Sequence, residues 1–251
     1  MTKAILISRN GGPEVLELAD VDPGQPGPGQ ALVRHEAIVL NFIDVYFRSG
    51  LYPAPNGLPL IPGSEGAGVV LAVGDGVTTV KEGDRVAYVD RVGAYSEERL
   101  VAADKLVKVP DGISLEVAAA AMLKGMTAEY LLNRTFEVKP GTTILFHAAA
   151  GGVGLIAGQW AKALGATVIG TAGSEEKIKL AKANGYDHMI NYRSENFAER
   201  VAEITKGKGV DVVYDSIGKD TFPASLDCLR PRGLWVSFGQ SSGPIGSFDT
   251  A

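Results

Sequence analysis

The stretch Ile144-Leu145-Phe146-His147-Ala148-Ala149-Ala150-Gly151-Gly152-Val153-Gly154 carries the strongest chemical signal in the chain. An apolar strand runs into a turn of small residues, and a helix opens directly after it. A pyrophosphate needs this composition: free backbone N–H donors and the positive end of a helix. A side chain in the turn would hold the phosphates away from those donors. Gly152 is expected to allow close approach, Gly151 to make the sharp turn, and Gly154 to let helix and strand pack closely, with Val153 opening the helix. The first glycine of the usual G-x-G-x-x-G is here an alanine. The strand before and the helix after still give the context that the fingerprint requires. The alternative is a tight strand-to-helix turn without a ligand.

The end of the next strand selects the dinucleotide. An NAD site places an acidic residue there to hold the ribose 2′-OH. Thr171-Ala172-Gly173-Ser174-Glu175-Glu176-Lys177 offers no carboxylate on the last strand residues. Gly173, Ser174 and Lys177 suit a 2′-phosphate instead, since a hydroxyl and an ammonium attract what an acid repels. NADPH is the expected cofactor. Glu175 and Glu176 read as first-turn helix acids favoured by the dipole. Tyr192, at the end of the third strand, either covers the adenosine edge or is a boundary aromatic.

Other reactive side chains read as structural. Cys228 alone cannot form an internal disulfide or a multi-thiolate metal site, and it suits a small buried position. His35 and His188 sit in strand-like runs. His147 precedes the phosphate turn, where a structural role is preferred over one in orienting the cofactor. Asp211 and Asp215 read as acids of strand-end turns.

Alternating elements must hold these residues. After Pro140-Gly141, strands are predicted at 143–146, 167–171, 188–191, 210–214 and 234–238. Helices are predicted at 153–164, 175–183 and 198–205, with a short one near 222–229. This alternation specifies a parallel sheet with helices on both faces. Two helical runs precede it, 114–122 with Ser114 as N-cap and 127–134. The first half is β-rich, with strands such as Ala31–Arg34, Gly68–Val73 and Arg85–Val89 between Gly, Pro and Asp turns, as in a small barrel or sandwich. Residues 1–122 and 123–251 are the expected domains.

Composition agrees. The 251 residues are 45% apolar and 21% charged, the balance of a soluble globular chain. A net charge of -5 argues against a nucleic-acid surface. No segment reaches the ~18 apolar residues of a membrane span, and the cytoplasm is the expected compartment.

The chain resembles the quinone oxidoreductase (zeta-crystallin-like) branch of the zinc-independent medium-chain dehydrogenase/reductase family. The matching stretches are Asn41-Phe42-Ile43-Asp44, Arg48–Pro53, Pro62–Gly68, Lys81–Val86, Ala148–Gly154 and Ser237–Gly239, spread over almost the whole chain. The resemblance implies a GroES-like N-terminal domain, a Rossmann NADPH domain, an active site in the cleft between them, and a homodimer. It implies reduction of a quinone or related conjugated carbonyl by hydride. Zinc ligands are missing: Gly63-Ser64-Glu65 stands where zinc-dependent relatives carry Gly-His-Glu, and Asp90–Tyr95 has no cysteine. Asn41, Ile43, Asp44 and Tyr46 are then cofactor-binding, Asn41 also catalytic, with Arg48 nearby. Thr127 and Tyr130 border the nicotinamide, and Ser216, Phe238, Gly239, Gln240 and Ser241 line the cofactor. Tyr52 is the candidate to hydrogen bond or protonate the reduced acceptor, or else anchors the loop Tyr52-Pro53-Ala54-Pro55. Family members continue to a sixth strand, so the loop-like end Ser247–Ala251 implies a missing C-terminal segment. An enoyl or alkenal reductase and a non-catalytic NADPH sensor are the competing functions.

Overall fold

The computed structural model describes residues 1–248. The chain divides into two compact units, Met1–Leu123 and Lys124 onward.

In the first unit β1 (Thr2–Leu6) pairs antiparallel with β2 (Glu17–Val21). A larger antiparallel sheet contains β3 (Gln30–Val39), β4 (Glu65–Val73), β5 (Arg85–Val89), β6 (Glu98–Ala102) and β7 (Val107–Lys108), in the order β6-β3-β4-β5-β7. Its side chains alternate between two apolar layers, as a period of two requires. Val70, Val86 and Tyr88 enter one layer. Ala67, Val69 and Ala87 enter the other, against Leu115, Ala118 and Ala119.

Between β3 and β4 lies α1 (Phe42–Ser49), a helix that the strand-and-turn reading of this half omits. Its residues Phe42, Ile43, Val45, Tyr46 and Phe47 are β-branched or aromatic, types that favour a strand over a helix. Its punctuation is nevertheless in the sequence. Asn41 and Asp44 form a reciprocal capping box, and Gly50, at φ 82°, closes the helix in the left-handed region. The two expected helical runs further on are one helix, α2 (Leu115–Glu129), continued by a π-helical turn, Tyr130–Thr135. Ser114 Oγ accepts from Val117 N, as an N-cap should. Gly125 lies inside α2 with open space around it. A glycine there costs about 1 kcal/mol and need not break a helix.

The second unit holds β8 (Thr143–Phe146), α3 (Gly152–Ala163), β9 (Thr167–Ala172), α4 (Glu175–Lys182), β10 (His188–Asn191), α5 (Phe197–Ile204), β11 (Val210–Asp215), α6 (Ala224–Asp227) and β12 (Leu229–Ser237). The sheet is parallel throughout, in the order β10-β9-β8-β11-β12. Odd and even strand residues again part into two layers. Ile144, Phe146, Val168 and Val212 pack with Ala157 and Ala161 of α3. Leu145, Ile169 and Val213 pack with Val201 of α5 and Cys228. Five strands are present among the described residues, as expected. β12 begins earlier than expected because Val210 already pairs with Leu229 before a register shift. Of the loop-like end, residues 249–251 lie outside the described residues.

Candidate active site

In the first unit the capping box of α1 becomes a buried polar cluster. Asp44 Oδ2 accepts from Asn41 N (2.9 Å) and the Tyr95 hydroxyl (2.9 Å), while Oδ1 accepts from Ser64 Oγ (2.8 Å). Asn41 Nδ2 donates to Glu65 Oε1 (2.8 Å), and Glu65 Oε2 accepts from Leu123 N (2.7 Å). Burial raises the Asp44 carboxyl above its ordinary range against the pull of its three donors. It likewise pushes the Tyr95 phenol up. A dent of about 40 Å³ beside Asp44 is lined by Val45, Arg48, Pro62 and Tyr95, among others.

The candidate aromatics gather next to this cluster. Tyr46 is buried on α1 and packs on Tyr52 at 5.0 Å between ring centroids, with Phe47 at 5.8 Å from Tyr52 on another side. The Tyr52 hydroxyl makes no hydrogen bond among the described residues, while its ring joins the Ile7, Phe47 and Leu60 core. Anchoring and availability to a ligand therefore coexist in one side chain. Ile43 also packs on that core, which leaves its main chain for any ligand contact. Arg48 Nε donates to Gly11 O (3.3 Å).

In the second unit the small-residue turn follows β8, where the strand order reverses. A doubly wound sheet opens its ligand crevice at such a point. Gly151 is the N-cap of α3, with no capping side chain and no acid in the first turn. The next helices differ: Ser174 caps α4 and Asn196 caps α5, and each has acid in its first turn. The amides opening α3 thus have no side-chain acceptor, as an anion site requires.

One glycine assignment changes. The sharp turn is made by Ala148, at φ 53°, whereas Gly151 is extended at φ -78°, ψ 170°. At Gly152 a Cβ would come within 2.7 Å of Lys124 Cδ, on a flexible side chain that can swing aside. Lys124 is a neighbour of the turn that sequence spacing does not reveal. Gly154 is as expected, since a Cβ there would sit 2.5 Å from Ala148 O and 2.6 Å from Ala149 O.

Around α4, Ser174 Oγ accepts from Lys177 N (3.3 Å). Tyr192 is half exposed, and its Oη would stand 2.5 Å from a Cβ on Gly173. The structure therefore brings Gly173, Ser174, Lys177 and Tyr192 together. Ser216 meets the segment after β12: Ser241 N donates to Ser216 O (3.1 Å), and a Cβ on Gly239 would lie 3.0 Å from that oxygen. Phe238 N donates to Asp215 O, and its ring packs on Phe146. Gln240 backs onto Gly218. Thr127 near the end of α2 and Tyr130 in the turn that continues it are one helical turn apart.

Asp215 is more than a strand-end turn acid. It is fully buried and accepts from Ile217 N, Gly218 N, Thr221 Oγ1, Ser225 Oγ and Trp235 Nε1. Burial works to raise its pKa, but the neighbouring His147 and the hydrogen bonds from Thr221, Gly218 and Ile217 together hold the carboxyl below its ordinary value. His147 joins the network through Nε2 to Ser225 Oγ (3.0 Å) and reaches Thr171 Oγ1 through Nδ1 (2.9 Å). Burial pushes its pKa down to about 4, so the ring is neutral near pH 7. The network ties the ends of β8, β9 and β11 together, the structural role expected of His147. Asp211 has a smaller duty, accepting from Thr143 N and Arg230 Nε.

Comparison with known proteins agrees with this architecture. Residues 27–111 match the family model of the alcohol dehydrogenase GroES-like domain, and residues 152–250 that of the zinc-binding dehydrogenases. Over 98% of its length the chain is 60% identical to a quinone oxidoreductase of Pseudomonas aeruginosa, covering 75% of that protein. A 2-haloacrylate reductase of Burkholderia is 52% identical over 97% of the chain and 74% of its own length. The crystal structure of Escherichia coli quinone oxidoreductase complexed with NADPH superposes with a TM-score of 0.96 at 52% identity, covering 98% of this chain and 76% of that one. A GroES-like unit followed by a Rossmann-type unit defines an oxidoreductase of the medium-chain dehydrogenase class. The chain belongs to the quinone oxidoreductase branch of the medium-chain dehydrogenase/reductase family.

Proposed function

We propose that this protein binds NADPH and reduces a quinone or a related conjugated carbonyl without a metal. One observation carries the reading: the uncapped, acid-free N-terminus of α3 follows a turn without bulky side chains at the point of strand-order reversal. A diphosphate fits the chemistry of those amides. In this reading Gly151, Gly152, Val153 and Gly154 hold the diphosphate. Gly173, Ser174, Lys177 and Tyr192 hold the adenosine end. Asn41, Ile43, Asp44, Tyr46, Thr127 and Tyr130 serve the nicotinamide end, and Ser216 with Phe238 to Ser241 line the remainder.

The bound coenzyme supplies a hydride, and the protein supplies position and polar stabilisation. Asn41, Ser64 and Glu65 are hydrogen-bonded within the cluster of Asp44. Activation of the acceptor therefore falls to hydrogen bonding. In this reading the Tyr52 phenol, whose hydroxyl has no hydrogen bond among the described residues, is the donor to the oxygen on which charge develops. Water can also protonate a hydroquinone oxygen. Tyr52→Phe is accordingly expected to lower kcat/KM about tenfold, less than an obligatory proton donor would. Unchanged kcat/KM across several acceptors would remove Tyr52 from the mechanism. Two copies pairing as a homodimer belong to the same proposal, as the resemblance to the quinone oxidoreductases implies.

The likeness to a 2-haloacrylate reductase favours a second reading, reduction of an activated carbon–carbon double bond. Initial rates with NADPH and 1,4-benzoquinone, a 2-alkenal and 2-chloroacrylate separate the two. Turnover of benzoquinone alone supports the first reading. NADPH binding without turnover of any acceptor overturns both in favour of a sensor.

A further inference from the structure

Beyond β10, residues 191–195 form a turn secured at several points. Asn191 Oδ1 accepts from Arg193 N (3.2 Å), and Asn191 Nδ2 donates to Glu175 Oε1 (3.3 Å) at the start of α4. Tyr192 N donates to Ala172 O at the end of β9 (3.3 Å). The turn is thereby fixed beside the loop that enters α4. A Cβ on Gly173 would lie 3.2 Å from Arg193 Nε as well as against the Tyr192 hydroxyl. A guanidinium and a phenol thus overhang bare main chain directly before Ser174.

The Arg193 guanidinium makes no hydrogen bond or ion pair among the described residues, and its neighbouring acids are engaged elsewhere. Glu175 accepts from Asn191, and Glu195 pairs with Arg200. Lys177, on the exposed face of α4, is a point charge on a flexible stem. Arg193 instead offers a planar fork that matches two oxygens of a phosphate monoester. Its backbone is already placed, so less freedom is lost on binding.

We propose that Arg193 binds the 2′-phosphate of the coenzyme and sets the preference for NADPH over NADH. This rests on the coenzyme reading above and adds to it a residue that spacing alone does not identify, because it lies one position past the third strand's terminal aromatic.

Dissociation constants and steady-state constants for NADPH and NADH, measured on the wild type, Arg193→Ala and Arg193→Lys, test it. Arg193→Ala should raise Kd and KM for NADPH about ten- to a hundredfold, the loss of a charge-assisted contact. It should leave the NADH constants and kcat at saturating NADPH unchanged. Arg193→Lys should recover part of the loss, because it keeps the charge and loses the fork. Inhibition by 2′-AMP should weaken in parallel. Equal factors for both coenzymes, or unchanged NADPH constants in a folded Arg193→Ala, would overturn the assignment. A wild type that binds NADH as well as NADPH would overturn the coenzyme reading itself, and Arg193 with it. The exposed position of Arg193 makes misfolding of the variants easy to check by circular dichroism.

Discussion

His147 shows how far burial governs a single residue. Its ring accepts a proton only near pH 4, because the folded protein offers it no solvent. In the unfolded chain it titrates near 6.5. The unfolded state therefore binds the extra proton first as pH falls. Stability from this group is complete above about pH 6.5 and is lost as pH falls toward 4. The difference amounts to about 3 kcal/mol over that window. Urea unfolding followed at several pH values should show the loss, and His147→Gln should flatten the dependence between pH 6.5 and 4. A wild-type midpoint constant over that interval would show that the imidazole is not isolated from solvent. Little of this network is legible in the sequence. Ser225, Thr221 and Asp215 are brought to His147 by the path of the chain after β11, which no local pattern encodes. The pair Asn41 and Asp44 is more legible, because a capping box is a local device. Its partners Ser64 and Tyr95 come from distant segments and are not.

At the scale of elements, the parallel sheet is the most legible part, since its strands are apolar runs between helical periods and Gly or Pro turns. α1 is hidden by its β-branched and aromatic residues, and the left-handed turn residue is hidden because alanine gives no sign of φ 53°. Gly154 illustrates what close packing of α3 on the sheet requires. A Cβ there would lie 2.5 Å from one carbonyl oxygen and 2.6 Å from another, both backbone and unable to swing aside. Gly154→Ala must push the first turn of α3 outward. The expected cost is about 2 to 3 kcal/mol of stability, as for an overpacked core. Coenzyme affinity should fall together with stability, since the displaced amides are the proposed phosphate donors. Gly125→Ala, in the open space of α2, is the control and should stabilise by up to about 1 kcal/mol. Thermal melts of both variants with coenzyme titrations check the pair. A Gly154→Ala protein with wild-type melting and affinity would show that this helix has room to spare.

For the whole molecule, net charge and proposed ligand have the same sign. A chain of charge -5 must hold an anionic coenzyme by local means: exposed helix amides, Lys177 and the overhanging Arg193. Only the folded second unit has these groups assembled, so the ligand should stabilise that unit by mass action. Both tryptophans, Trp160 and Trp235, lie in it, and Trp235 touches the Asp215 network. Tryptophan emission therefore reports its unfolding. NADP⁺, which does not absorb where tryptophan emits, is the suitable probe. At a hundred times its Kd it should add about 2.7 kcal/mol to the stability of the second unit. That moves the urea midpoint by on the order of 1 to 2 M. NAD⁺ at the same concentration should move it less, because it lacks the phosphate that Lys177 and Arg193 would meet. Equal shifts with the two coenzymes would sink the 2′-phosphate assignment while leaving a dinucleotide site. No shift with either would mean that the opening of α3 does not receive a diphosphate, and the proposed hydride chemistry would lose its donor.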